Sequence, residues 1–325
     1  MTAGFAGPVQ EQGNDDGGAG GGGIVASGIS RSFGPVRAIE NIDFSAPAGQ
    51  VTALIGPNGA GKTTLLLILA SLLAPDAGSV RIFGVDPVAD PATARLNIGW
   101  MPDTLGVWES LTAREILTVM GGFYRMPQER LAERVADLLE LVHLHELADQ
   151  PARVLSRGQQ QRLSLARALI HDPGVLLLDE PASGLDPGAR VELRNLLRRL
   201  AAEGKAVVVS SHVLSELDEI ADGAVFVNQG CSVKRQTLAE AASQGRRYAV
   251  TAADTEQLTG KLEQLGLPYR RETGRRATVT LALSNGSDAA RLLRELVLAG
   301  VEISAFAPAT GALEETYLSL ETEQR

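Results

Sequence analysis

Cysteine is almost missing from this chain, since Cys231 is the single one among 325 residues. A single cysteine excludes an internal disulfide and a metal site built from several thiolates, and it fits a reducing cytosol. Lysine is scarce as well, at positions 62, 205, 234 and 261, whereas arginine is plentiful. We interpret this imbalance as compositional bias and expect chemistry from lysine only at Lys62.

Long apolar runs are missing too, because no stretch approaches the roughly 18 uninterrupted apolar residues of a membrane span. The N-terminus lacks the basic and then apolar pattern of a signal peptide. The formal net charge of −9 argues against a nucleic-acid partner, which favours a basic face. With 44% apolar residues the chain can bury a real core. We therefore expect a globular cytoplasmic protein, which would need a separate spanning partner to act at a membrane.

The pattern along the chain predicts three regions. Residues 1–23 are glycine-rich with little apolar bulk, which predicts a disordered tail. Between 24 and 237, strand-like and helical segments alternate, which predicts an α/β domain with a mostly parallel sheet and helices on its faces. Its first strands are typical of an antiparallel β subdomain, and residues 112–149 predict a helical subdomain. Residues 238–325 follow the order β-α-β-β-α-β with a last helix, which predicts a small α+β accessory domain of ferredoxin-like fold.

The segment GPNGAGKTT fits the phosphate-binding pattern G-x-x-x-x-G-K-[ST] and stands between an apolar strand and a helix. A glycine-rich turn without a ligand is the alternative, which this context disfavours. Glycines let backbone N–H groups face a phosphate, and the helix N-terminus adds partial positive charge. We expect Lys62 to reach the β- and γ-phosphates of ATP and the Thr63 hydroxyl to bind Mg²⁺. The predicted nucleotide-binding residues of this P-loop are Gly56, Pro57, Asn58, Gly59, Ala60, Gly61, Lys62, Thr63 and Thr64.

Two carboxylates end a second apolar strand, VLLLDE. Ligands of open α/β sheets bind at the carboxyl ends of the strands, so Asp179 is expected to hold Mg²⁺ directly or through water. Glu180 follows at once and is expected to act as the general base that polarises the attacking water. The alternative is an exposed acidic turn without a catalytic role. The presence of a P-loop in the same chain disfavours it.

The order of the motifs GPNGAGKT, LSRGQ, VLLLDEP, SGLD and SSH, between about Ile24 and Gly230, resembles the nucleotide-binding subunits of ABC transporters. The resemblance implies a P-loop NTPase core and a head-to-tail dimer with a second copy. It also implies that Ser156 and Gly158 of LSRGQ touch the γ-phosphate of the partner's ATP. Ser156 can in addition cap the helix that follows it.

The resemblance assigns further positions one at a time. Phe33 would stack on adenine, with a core phenylalanine as the alternative. His212 would be the switch residue that contacts the γ-phosphate, and Asp186 would join the two copies across their interface. Two positions depart from the family pattern. Asp103 replaces a glutamine that binds Mg²⁺ and water, and stays a predicted catalytic and metal residue, while Arg157 replaces a glycine and is expected to point to solvent.

The segment from Trp100 to Tyr124, with Leu105, Val107 and Trp108, corresponds in the family to the groove that receives a short helix of the membrane subunit. A plain core is the alternative for these residues. Both tryptophans of the chain are here, and tryptophan is enriched at interface anchors.

The C-terminal part resembles the extensions of export-type ATPase subunits from drug resistance systems. We therefore predict an ATP-hydrolysing subunit of an ABC transporter, an exporter by analogy. It would lie at the inner face of the cell membrane and drive substrate movement through a separate permease. Two alternatives remain: a soluble ABC-type ATPase acting on a partner such as the ribosome, and a regulatory ATP-binding module with little turnover.

Overall fold

The structure is a computed structural model and describes residues 22–104, 106, 108–211, 213–237, 240, 246–271, 278–309, 311, 313–314, 316–317 and 320. The predicted tail therefore lies outside the described residues except for Gly22 and Gly23. The strands are β1 (Gly23–Phe33), β2 (Val36–Pro47), β3 (Val51–Ile55), β4 (Ala77–Ile82), β5 (Ile98–Met101), β6 (Val175–Asp179), β7 (Ala206–Ser210), β8 (Gly223–Asn228), β9 (Cys231–Thr237), β10 (Arg246–Ala252), β11 (Tyr269–Arg271), β12 (Thr278–Leu283) and β13 (Ile303–Pro308).

The helices follow the expected alternation with the strands. They are α1 (Lys62–Leu69), α2 (Pro91–Leu96), α3 (Ala113–Phe123), α4 (Gln128–Leu141), α5 (Arg157–Leu169), α6 (Pro187–Ala202), α7 (Leu214–Ile220), α8 (Thr255–Gln264) and α9 (Gly286–Leu298), with 3-10 turns at His145–Leu147 and Ala152–Val154.

A large sheet carries the strands in the order β4-β1-β2-β9-β8-β3-β7-β6-β5. Strands β8, β3, β7, β6 and β5 run parallel to one another. Strand β9 pairs antiparallel with β8, and β4, β1 and β2 also pair antiparallel. Every residue of β3, β6 and β7 is buried, as expected for parallel strands covered on both faces. The predicted mostly parallel sheet with an antiparallel part is thus confirmed.

The two faces of this sheet support separate apolar clusters. Val51, Ala53 and Ile55 face the cluster that includes α3, α4 and α5, whereas Leu54 faces the cluster that includes α1. Successive side chains of a strand point to opposite faces, so one five-residue strand serves both clusters. This double burial holds β3 firmly, and the loop that follows it starts from a fixed point.

A second sheet has the order β11-β12-β10-β13 and is antiparallel throughout. Helices α8 and α9 share one apolar cluster with it, around Leu258, Val279 and Leu292. The predicted order β-α-β-β-α-β is confirmed, although residues 272–277, between β11 and β12, lie outside the described residues. The boundaries at 237 and 238 remain a prediction.

The predicted last helix lies only partly within the described residues, and it packs against the large core instead of the small one. Leu313 is fully buried in the cluster of α3, α4 and α5. Its N–H donates to Oδ1 of Asp218, 2.9 Å away. Thr316 and Gln236, both buried, are hydrogen-bonded through their side chains at 3.2 Å. The chain thus returns to its first sheet before it ends.

Two elements were not predicted. Strand β9, CSVKRQT, is mostly polar and only Gln236 is buried in it, so its apolar pattern is weak. Helix α2 has six residues and buries only Ala94, although Asp90 as N-cap and Pro91 at the first position are helix-start signals.

His171 lies just before β6, at the sheet edge opposite the carboxyl ends. Its ring stacks on Tyr124 with 3.7 Å between the ring centroids. Its Nε2 lies 3.0 Å from the carbonyl oxygen of Ile98, which only accepts, so Nε2 carries the proton of the neutral ring. Burial is the main reason that the pKa of His171 is lowered to about 4. Folding therefore favours the neutral ring.

This pKa predicts a pH dependence of stability. The folded-state pKa lies below the ordinary value of 6.5, so the unfolded chain binds more protons between those values. The contribution of His171 is present above pH 6.5 and is lost as the pH falls toward 4. Between pH 7 and 5, the free energy of unfolding should fall by about 1–2 kcal/mol more in the wild type than in His171→Gln, allowing for partial solvent screening.

Urea unfolding at the two pH values measures this difference. His145→Gln, at an exposed ring, is the matched control and should follow the wild type. Equal losses in the wild type and His171→Gln would contradict the assignment.

Candidate active site

The loop between β3 and α1 carries the predicted phosphate-binding residues. Gly61 is the N-cap of α1 with φ of 99°, a left-handed conformation that glycine adopts without strain. A Cβ at Gly61 would lie 2.7 Å from the carbonyl oxygen of Ala38, so no larger residue fits. The N–H groups of the first turn of α1 have no side-chain cap, and such groups suit an anion.

Lys62 folds back over this loop. Its Nζ donates to the carbonyl oxygens of Gly56 at 2.7 Å and Pro57 at 3.1 Å. Burial lowers the pKa of Lys62, while the charges of Glu180 and Asp179 act in the opposite direction. The ammonium group is therefore hydrogen-bonded to the loop and attracted by both carboxylates.

Asp179 ends β6 and is only 4% exposed. Its Oδ2 accepts a hydrogen bond from Thr63 Oγ1 at 3.2 Å, and its Oδ1 accepts one from Ser210 Oγ at 2.5 Å. Asp179 and Ser210 end the adjacent strands β6 and β7, and Thr63 lies in the first turn of α1, which follows β3 through the P-loop. The structure thus brings the two predicted Mg²⁺ ligands Thr63 and Asp179 together.

Glu180 continues the chain in a left-handed conformation, with φ of 51°. Such a φ is uncommon for residues other than glycine and clusters at functional sites. Its N–H donates to Ser210 Oγ at 3.1 Å. Ser210 was not predicted as a site residue, yet it joins both carboxylate residues. A polar residue at the end of the buried run AVVVS was the available signal.

Ser156 lies at the N-terminus of α5 and is its N-cap. Its Oγ accepts from Gln159 N at 3.3 Å, and Gln159 Oε1 accepts from Ser156 N at 2.8 Å, which is a capping box. A Cβ on Gly158 would lie 3.4 Å from Leu185. The start of α5 therefore packs against the SGLD loop.

Arg157 is exposed, as expected, but its guanidinium does not point to solvent alone. Nη2 donates to Ser183 Oγ at 3.3 Å. The side chain also crosses Gly184, where φ is +74° and a Cβ would lie 3.0 Å from Arg157 Cδ. Arg157 thus joins the LSRGQ and SGLD motifs within one chain.

Asp186 is the N-cap of α6, and its Oδ1 accepts from Ala189 N at 3.0 Å. This bond is the main reason that the pKa of Asp186 is lowered. Its observed contacts are those of a helix cap, and the contact across a dimer remains a prediction.

Of three further predicted site residues, two are among the described residues and the third is not. Phe33 is 47% exposed and therefore no core residue; the Arg31 guanidinium lies 5.1 Å from its ring centroid. Asp103 is exposed, two residues after β5 at the same sheet edge as Asp179. His212 lies outside the described residues, between β7 and α7.

Gln161 is a contact of Glu180 that sequence reasoning missed. It lies in α5, is 3% exposed, and donates to the carbonyl oxygens of Glu180 and Pro181. Its spacing of four residues from the buried Leu165 was the available signal.

The sequence is similar to those of known proteins. The sequence profile of the ABC transporter family matches residues 39–183. A daunorubicin/doxorubicin resistance ATP-binding protein of Streptomyces peucetius is 32% identical over 305 residues, covering 91% of this chain and 92% of the relative. A Nod factor export ATP-binding protein of Ralstonia nicotianae is 36% identical over 207 residues, covering 64% of each chain.

Solved structures agree with these relatives. An ATP-binding subunit of an ABC transporter has a TM-score of 0.63 and 27% identity, covering 67% of this chain and 91% of its own. A bacterial ABC transporter cassette solved as a dimer has a TM-score of 0.62 and 27% identity, with 66% and 98% covered. Its post-hydrolysis state with ADP and Pi has a TM-score of 0.60 and 26% identity over 66% and 98%. The chain therefore belongs to the ABC transporter family, as an ATP-binding subunit that hydrolyses ATP.

Proposed function

We propose that Thr63, Asp179 and Glu180 form the Mg²⁺-dependent hydrolytic centre for ATP bound on the P-loop. The observation that carries this proposal is the buried Asp179 carboxylate, bonded to the hydroxyls of Thr63 and Ser210. Hydroxyl and carboxylate oxygens are ligands that Mg²⁺ prefers, and it usually takes its other ligands from phosphate and water. Among the described residues no group of three or more His, Cys, Asp or Glu side chains could hold a metal.

The residues have distinct roles in this proposal. Lys62 and the N–H groups of the P-loop bind the phosphates, and bound Mg²⁺ neutralises charge on the phosphoryl oxygens. Glu180 orients and deprotonates the attacking water. Phe33 stacks on adenine, for which its exposed ring is suited. Asp103 contributes to the metal or its water, and His212 contacts the γ-phosphate.

Glu180→Gln should keep ATP binding and lose turnover by about 10²- to 10⁴-fold, because the amide has the shape of the carboxylate but is no base. Steady-state hydrolysis and equilibrium nucleotide binding measure the two effects. Glu203→Gln, at an exposed residue that ends α6, is the matched control. Hydrolysis near the wild-type rate in Glu180→Gln would refute Glu180 as the base.

ATP binding by two copies in head-to-tail arrangement is the second part of the proposal. Ser156 is exposed at the N-terminus of α5, where N–H groups and the helix dipole favour an anion. The similar cassette solved as a dimer supports the arrangement. Each copy would then complete the site of the other.

Ser156→Arg should prevent this pairing, since a large side chain would occupy the space for the partner's phosphate. Size-exclusion chromatography with ATP should show a dimer for the Glu180→Gln variant. The double variant, which also carries Ser156→Arg, should stay a monomer. Ser287→Arg, at an exposed serine in α9, is the control. A dimer that persists with Ser156→Arg would contradict the arrangement.

Transport through a separate permease is the third part. No helix in the described ranges has the length and apolar character needed to cross a bilayer. Helix α3 buries Ile116 and Leu117 but leaves Phe123 70% and Val119 41% exposed, one turn apart. Trp108, before α3, is 41% exposed, with Arg167 5.9 Å from its ring centroid. Trp100, in contrast, packs partly against the core.

These exposed apolar side chains, Trp108 before α3 and Val119 and Phe123 on α3, suit the short helix of a membrane subunit at the cytoplasmic face. The named relatives act in drug resistance and Nod factor export, which supports export and disfavours the ribosomal alternative.

Phe123→Asp should abolish copurification with the membrane subunit from detergent extract, because a charge would enter an apolar contact. The ATP affinity of the isolated chain should stay unchanged. Leu298→Asp, at an 80% exposed leucine of α9, is the matched control and should copurify normally. Undiminished copurification of Phe123→Asp would exclude this surface.

A further inference from the structure

Gln161 is a buried amide at an unusual position. It lies in the second turn of α5, the helix that Ser156 caps, and it is 3% exposed. Its Nε2 donates to the carbonyl oxygen of Glu180 at 3.0 Å and to that of Pro181 at 3.1 Å. One side chain thus satisfies two successive carbonyls directly behind β6, which buried carbonyl groups require.

The backbone of Glu180 needs such support. Its φ of 51° is disfavoured for a residue with a Cβ, and a strained residue persists only when its surroundings hold it. The N–H of Glu180 is held by Ser210 Oγ, and its carbonyl is held by Gln161. The peptide groups on both sides of the Glu180 Cα are therefore fixed by side chains of two other elements, β7 and α5.

We propose that Gln161 is a positioning residue for the hydrolytic reaction, which holds Glu180 in the conformation that aims its carboxylate at the attacking water. The inference rests on the proposed role of Glu180 as general base. Gln161 touches no nucleotide in this scheme and acts through the Glu180 backbone.

The same contact links two nucleotide sites in the proposed dimer. Ser156 and Gly158 at the start of α5 serve the partner's ATP, and Gln161 lies about one and a half turns further along the same helix, roughly 8 Å away. A shift of α5 on binding the partner's ATP is therefore transmitted to the chain's own base through one rigid element. Arg157 also ties α5 to the SGLD loop through Ser183, and Arg162 ties it to α6 through Glu192. Gln161 is the residue of α5 that donates to the Glu180 carbonyl.

The neighbouring glutamine provides a control within the same turn. Gln160 is half-buried, and its Nε2 donates to the Ala152 carbonyl oxygen at 3.3 Å. It makes a single bond to a different segment, on another face of α5. Identical substitutions at 160 and 161 therefore separate an effect on Glu180 from a general effect on the helix.

The decisive variant is Gln161→Glu. An ionised carboxylate only accepts hydrogen bonds, so it would repel the carbonyl oxygens of Glu180 and Pro181, whereas a protonated one regains a donor. We expect kcat of Gln161→Met to fall about 10- to 100-fold at every pH, as for a misplaced catalytic group. For Gln161→Glu the kcat relative to wild type should recover as the pH is lowered from 8 to 5.5. The KM for ATP should change by less than about 3-fold in both variants.

The assay measures ATP hydrolysis against pH for the wild type, both Gln161 variants, Gln160→Met and Gln160→Glu, with the full-length chain in the form that turns over. ATP-dependent dimer formation is measured in parallel in the Glu180→Gln background. Retained dimer formation, a selective loss of kcat and low-pH recovery only in Gln161→Glu support the proposal.

Near wild-type kcat in Gln161→Met would overturn it, and so would a loss of ATP affinity or dimer formation as large as the loss of kcat. The proposal would also be overturned if the two Gln160 variants showed the same loss of kcat and the same pH dependence as the two Gln161 variants. These failures differ from failure of the base assignment, which would appear as active Glu180→Gln.

Discussion

The site depends on one buried charge. Asp179 ends a strand whose residues are all buried, and a carboxylate in such surroundings must have hydrogen-bond partners or a cation. Its partners are the hydroxyls of Ser210, at the end of the adjacent strand β7, and of Thr63, in the first turn of α1 after the P-loop. Ser210 then also binds the N–H of Glu180. The positions of the P-loop, the metal-binding carboxylate and the proposed base are therefore mutually constrained.

Much of this arrangement could be predicted from sequence because its signals are local. The P-loop follows an apolar strand, Ser156 precedes a helix, and α6 begins at Pro187, directly after Asp186. Asp186 as N-cap and Pro187 at the first turn explain this success. The fold class followed from the alternation of strands and helices.

Other features depend on three-dimensional context and were missed for that reason. Three glutamines follow one another in LSRGQQQR, and letters alone do not say that Gln159 caps the helix, Gln160 bonds to Ala152 and Gln161 reaches the Glu180 backbone. The direction in which each glutamine points from the helix axis decides which partner it reaches. Strand β9 is held by its backbone pairing with β8. Because it buries only one of its side chains, it can be a polar sequence and gives no apolar signal. The departure at Arg157 could be noticed from sequence, but its partner Ser183 is 26 residues away.

The last described turn of the chain has a consequence for how the protein is made. Leu313 belongs to the apolar cluster of the first sheet and bonds to Asp218, 95 residues earlier. Synthesis proceeds from the N-terminus, and domains commonly fold while the ribosome is still extending the chain. Here the nucleotide-binding core lacks one of its own side chains until Leu313 has been translated. The complete core therefore forms only after the residues of the second sheet have been synthesised.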